Sequence, residues 1–177
     1  MGAVCASTWR PARSIVTAFQ TISPTMNQVY QRGLIEYHAG HYAAARSDFD
    51  AALKTGHATA FTYYYRGLSA YHLKNYALAW PDFEAALQLD STLLAGYRWR
   101  ALSAYHLRKF DLAARDFDTA IKVKPNDAVA YVYRGFIKRD AGQTSDALAD
   151  FDRALALRPN DPTALYARGR VYYLMGN

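Results

Sequence analysis

Five arginines and four phenylalanines recur along this chain at one fixed interval, and no other feature narrows its possible folds so far. Arg32, Arg66, Arg100, Arg134 and Arg168 stand 34 residues apart, and so do Phe49, Phe83, Phe117 and Phe151. A period of that length marks a stack of small supersecondary units, none of which can bury its apolar face alone. With units beginning at Met26, Ala60, Leu94, Ala128 and Pro162, the chain divides into 26–59, 60–93, 94–127, 128–161 and a partial unit, 162–177, about four and a half copies in all.

Within each unit the eighth place is small (Gly33, Gly67, Ala101, Gly135, Gly169), as are the twentieth (Ala45, Ala79, Ala113, Ala147) and the twenty-seventh (Ala52, Ala86, Ala120, Ala154). Larger apolar residues stand between them: Tyr63, Tyr97, Tyr131 and Leu165 at the fourth place, Tyr42, Tyr76 and Phe110 at the seventeenth, the Phe series at the twenty-fourth. Small residues let helices approach, and large ones fill the space beside them. Breakers mark the joints, with Gly40 and Gly142 in mid-unit and Pro125-Asn-Asp and Pro159-Asn-Asp closing the third and fourth units. Ala, Leu and Arg are helix formers. Each unit therefore reads as two antiparallel helices, and the whole as an all-α solenoid. Pro81 stands early in one second helix, where we expect a late start or a local kink.

The period, the small-large-small spacing and the Pro-Asn-Asp turn resemble the tetratricopeptide repeat, over Met26 to Asn177. The first unit departs from the pattern at Val29 and His57, and the second carries Ser91 where Pro would close the turn. The resemblance implies a right-handed superhelix whose concave face holds a protein or peptide against places two, five, nine, twelve and thirteen of the first helices. In this chain that row includes Tyr30, Leu34, Tyr37 and His38, then Phe61, Tyr64, Leu68, Tyr71 and His72. It continues through Arg98, Leu102, Tyr105 and His106, then Val132, Phe136 and Arg139, and ends with Tyr166, Arg170 and Tyr173. Such a groove is aromatic with a basic tilt, suited to an acidic or aromatic peptide; the alternative is that many of these Tyr pack between helices. A subgroup of the family grips terminal carboxylates with Lys and Asn at places five and nine. Here Tyr30 and Leu34, Tyr64 and Leu68, and Arg98 and Leu102 stand there, so that clamp is absent.

Two other rows are regular enough to have a role. The Arg series is matched by Asp48, Asp82, Asp116 and Asp150 at the twenty-third place, on the facing helix of the same unit or its neighbour. We expect fork-like Arg–carboxylate pairs, a structural ladder that sets packing register. His38, His72 and His106 each follow a Tyr at the end of a first helix. Stacked units place such residues about 10 Å apart, too far for the ligand distances of about 2 Å that zinc requires, so they read as polar groove residues and not as a metal site.

The net charge of +6 comes with acids interleaved from Glu36 onward, which argues against a nucleic-acid-binding stripe and leaves helical-repeat RNA binding a weak alternative. Nucleophile elbows, phosphate loops and zinc motifs are absent from the sequence, so neither an enzyme nor a cofactor is implied; an accessory region of a larger enzyme or signalling protein is the other reading. A single cysteine, Cys5, excludes an internal disulfide, and no apolar run is long enough to span a membrane. A cytoplasmic protein fits these features. Residues 1–35 nevertheless hold no acid, and Pro11 to Ile22 reads as either a capping helix on the first unit or an organellar presequence. Gly2 and Cys5 hint at acylation, against which Ala6 stands where the pattern wants Ser or Thr. The last unit stops after one helix, and self-association through that end, or a longer natural chain, is the expectation it raises.

Overall fold

A computed structural model describes residues 26–176, so the reading of Pro11 to Ile22 and the hint of acylation at Gly2 and Cys5 lie outside the described residues. Among the described residues there are nine helices and no strand. They are α1 (Met26–His38), α2 (Tyr42–Lys54), α3 (Ala60–His72), α4 (Tyr76–Leu89), α5 (Leu94–His106), α6 (Phe110–Val123), α7 (Ala128–Asp140), α8 (Thr144–Leu157) and α9 (Pro162–Leu174). Odd-numbered helices are the first of each repeat and even-numbered ones the second. Each helix packs on its neighbours in sequence, and every first helix also approaches the first helix of the next repeat. Second helices make no such approach to one another. The stack is thus tighter along the first helices, which form its inner, concave side.

The core of each repeat is one phenylalanine. Phe49, Phe83, Phe117 and Phe151 have no exposed surface, and each stands among alanines that are equally or almost fully buried. Burial of one such ring contributes about 1.5–3 kcal/mol. The ring lies against the small eighth place of the first helix: a Cβ on Gly33 would fall 2.8 Å from Phe49, one on Gly67 3.0 Å from Phe83, and one on Gly135 2.6 Å from Phe151. Helix contact at that distance leaves no room for a methyl group unless the ring moves.

The mid-repeat turn is the same in all four complete repeats. Gly40, Lys74, Arg108 and Gly142 all adopt positive φ, from 59° to 82°. The amide that follows reaches back five residues, as His41 N–H to Glu36 O at 2.9 Å and Lys109 N–H to Ala104 O at 2.8 Å. This is the left-handed stop that ends a helix with its last carbonyls satisfied. Lys74 and Arg108 carry it without glycine, which is why the sequence shows a breaker in only two of the four turns. Between repeats, Asp127 and Asp161 cap α7 and α9 through their carboxylates, and Thr59 caps α3.

Pro81 does not delay its helix. α4 begins at Tyr76, as its repeat neighbours do, and runs through the proline to Leu89. The carbonyl four residues back belongs to Ala77, and both residues are exposed, so water can serve the acceptor that proline leaves free.

Two glycine substitutions should move stability in opposite directions. Gly135→Ala forces a methyl onto Phe151 and is expected to destabilise by about 1–3 kcal/mol. Gly169 has nothing within 4 Å of an added Cβ, so Gly169→Ala gains helix propensity of roughly 0.5–1 kcal/mol. Urea denaturation of the two variants checks both signs.

Candidate functional site

The inner face is built around the tyrosine at the twelfth place of each first helix. Tyr37 lies edge-on to Tyr65 of the next repeat with ring centres 5.3 Å apart, and contacts Tyr42 of its own second helix at 5.6 Å. Its hydroxyl meets His72 Nε2 at 3.3 Å, and His72 stacks on Tyr42 at 4.4 Å with ring planes 11° apart. The next junction repeats the arrangement. Tyr71 packs on Trp99 at 4.9 Å, its hydroxyl meets His106 Nε2 at 3.3 Å, and His106 stacks on Tyr76 at 4.1 Å. At the third junction Tyr105 meets Tyr133 at 5.0 Å, and Asp140 stands where a histidine would.

Burial, with help from neighbouring phenols, pushes the Tyr37 hydroxyl up to about 12. Burial likewise raises Tyr71 and Tyr105, so these phenols remain donors at any ordinary pH. The same desolvation lowers His72 and His106, favouring neutral rings that accept from the tyrosine hydroxyls.

The remaining groove candidates divide by environment. His38 is exposed beside Tyr37 and Tyr65. Tyr30 packs on Phe49 and His57, Tyr64 on Phe83, and Phe136 on Phe151, each half-buried. Leu68 and Leu102 are only 4% exposed and belong to the core, as does Val132, which corrects their assignment to a ligand surface. In the second and third repeats the ninth place turns under the curve of the first helices, whereas Phe136 at that place in the fourth is half-buried and Arg170 in the last is exposed. Arg98 is also committed: its Nη1 donates to both oxygens of buried Asp127, at 3.1 and 3.3 Å, so it is not a free contact for an acidic peptide. Arg139 donates to Asp140 and lies over the Phe136 ring. Tyr166 and Tyr173 are 66% and 81% exposed on α9, with Arg170 over Tyr166. Among the described residues no cluster of His, Cys, Asp or Glu is placed to hold a metal ion.

Outside this row, the repeated arginines each grip carboxylates sixteen residues away. Arg32, Arg66, Arg100 and Arg134 fork onto Asp48, Asp82, Asp116 and Asp150 of their own repeats, with Arg100 at 2.7 Å on both oxygens. In the three interior repeats the third nitrogen reaches backward by the same interval: Arg66 to Asp50 at 2.7 Å, Arg100 to Glu84 at 2.5 Å, Arg134 to Asp118 at 2.7 Å. Arg168 makes the backward bond alone, to Asp152 at 2.7 Å. Burial works to lower the Arg66 guanidinium, but its bonds and charge pairing with Asp82 and Asp50 outweigh this and hold it above its ordinary value.

Matches to known proteins agree with this geometry. A tetratricopeptide-repeat family model matches residues 30–93 and a second model for the same repeat matches 135–176, together more than half of the chain. This chain is a tetratricopeptide-repeat protein. The nine helices of the described residues are arranged as in YrrB, a repeat protein described as having an unusual peptide-binding site, with a TM-score of 0.79 at 21% identity over 87% of this chain and 79% of that one. The repeat domain of Arabidopsis OM64 matches at 28% identity and a TM-score of 0.61, over 63% of this chain and 93% of that one. The first repeat domain of Spaghetti, bound to an HSP90 peptide, matches at 21% identity and 0.63, over 67% and 94%. No curated protein sequence matches.

Within this tetratricopeptide-repeat stack two rows escaped the sequence reading. Tyr65, Trp99 and Tyr133 at the sixth place cover the preceding tyrosine, and Asp50, Glu84, Asp118 and Asp152 at the twenty-fifth receive the backward arginine bond. Both recur with the 34-residue period and were there to be found by it.

Removing Arg66 should be among the most damaging changes to the ladder. Arg66→Met leaves Asp82, 4% exposed, without its counter-charge, a loss of about 3–5 kcal/mol. Arg168→Met breaks only the exposed pair with Asp152 and should cost less than about 1 kcal/mol. Chemical denaturation of the two variants separates them. The histidines predict a pH dependence. His72 and His106 bind protons less readily folded than unfolded, so the stability they contribute is present above about pH 6.5. It is lost as pH falls through their lowered folded values. A His72→Gln/His106→Gln variant should lose less stability than the parent between pH 7.5 and pH 5.5, measured by urea midpoints.

Proposed function

We propose that this protein is an interaction scaffold that holds an extended or helical segment of a partner protein along its inner face. The observation that carries the reading is the row of phenol and imidazole edges at Tyr37, His38, Tyr71, His72, Tyr105 and His106, partly exposed along the tighter side of the stack. Rigid aromatic side chains give large contact area with few torsions to freeze, and their hydroxyl and ring nitrogens add directional contacts. YrrB and Spaghetti, by the descriptions they carry, bind peptides, which supports the reading. Recognition of a terminal carboxylate by the family's clamp does not carry over, because Leu68 and Leu102 stand at its ninth places and Arg98 is held by Asp127. An RNA-binding role is disfavoured by the arginine ladder, which neutralises the most regular cationic row internally.

Photo-cross-linking tests this reading. With p-benzoylphenylalanine replacing His38 or His72, covalent adducts to a partner should form in cells. The same replacement at Ala149, exposed on α8, should give none. Adducts from Ala149 alone would overturn the inner-face reading.

A further inference from the structure

The backbones of second helices of adjacent repeats stay apart where those of the first helices approach, and side chains of α4 and α6 line a cavity of about 300 Å³ between them. Trp80 and Leu112 give it apolar walls, while Glu84, Arg100 and Asp116 on its lining belong to the ladder. Those three charges close on themselves: Arg100 donates Nη1 to Glu84 and Nε and Nη2 to Asp116. Arg115 also lines the cavity and takes part in no ion pair among the described residues. Lys109, likewise without an acid partner among the described residues, places its ammonium 4.7 Å from the centre of the Trp80 ring. The Trp80 Nε1–H is buried with no acceptor. Arg46, which holds the same repeat place one unit earlier, also has a buried Nε–H without an acceptor.

The repeat itself shows that stacking does not demand this set. Where Trp80 stands, the other repeats have Arg46, Ala114 and Leu148; where Lys109 stands, they have His41, Asn75 and Gln143; where Arg115 stands, Ser47, Pro81 and Ala149. The three departures come from two different repeats and meet at one junction. They combine two cations without a carboxylate partner, an indole face and an unsatisfied donor; the Arg115 Nε–H reaches only the carbonyl of Asp111, at 3.4 Å. We propose that this cavity is a second docking site, on the side away from the inner face, that takes the carboxylate side chain of an acidic segment of a partner protein. The aliphatic arm of a glutamate lies against Trp80 and Leu112, and its carboxylate lies between Arg115 and Lys109. An oxygen that reaches the indole also relieves its unsatisfied N–H.

The test follows the Trp80 indole resonance in ¹H–¹⁵N spectra of the whole protein, assigned with Trp80→Phe, while an acetylated and amidated hexaglutamate peptide is added. The resonance should move and saturate, and the corresponding hexaglutamine should leave it in place. Lys109→Gln/Arg115→Gln, both exposed positions, should keep the parent's circular dichroism and weaken hexaglutamate binding at least tenfold. Arg139→Gln, on the inner face, should leave the titration unchanged. An unmoved indole resonance, or binding lost in Arg139→Gln and kept in the double variant, overturns the proposal. Free glutarate binding as tightly as the peptide would make this a site for a small dicarboxylate and overturn partner docking. None of these results bears on the inner-face cross-links, so the two sites stand or fall separately.

Discussion

Everything in this stack depends on how closely the two helices of a repeat approach, and one contact sets that distance. A fully buried phenylalanine from the second helix lies on the small eighth place of the first. The third repeat makes the same contact over Ala101, so the fit tolerates one methyl where the ring can give. With the helices at that separation, the arginine one place earlier reaches the aspartate one place before the phenylalanine, and the fork closes.

The same arginines decide how one repeat sits on another. Each interior guanidinium binds the second helices on both sides of it and so joins three helices. This is also why an excess of basic residues produces no basic stripe: the most regular cations spend their charge inside the stack. Beside the ladder runs the aromatic seam, in which each tyrosine of the twelfth place is covered by an aromatic ring and, twice, a histidine of the following repeat. The tyrosines expected to form a groove therefore do two things. One face cements the junction, and the other stays at the inner surface.

The helix pairs, the fork from seventh to twenty-third place and the turn positions were legible because each is local or repeats in register. What was not legible depends on curvature. Leu68 and Leu102 look like groove residues until the first helices draw together and cover them. Arg98 looks free until the third closing turn brings Asp127 beneath it. Pro81 looks like a helix start until its exposure shows that water can take the place of the missing bond. The twenty-fifth-place acids are a different case: they were periodic, but the twenty-third-place aspartates offered each arginine a partner first, and a guanidinium has donors enough for both.

The arginine bonds have a consequence for how such a chain can change in length. The forward bond spans the turn inside a repeat and the backward bond spans the turn between repeats, each joining residues sixteen positions apart. Both kinds of turn in the interior repeats thus lie within a loop clasped by opposite charges. One residue added to or lost from either turn strains a clasp and puts the next helix out of step, whereas a whole repeat added or removed leaves every clasp intact. Length in this architecture is counted in repeats, and the arginines do the counting.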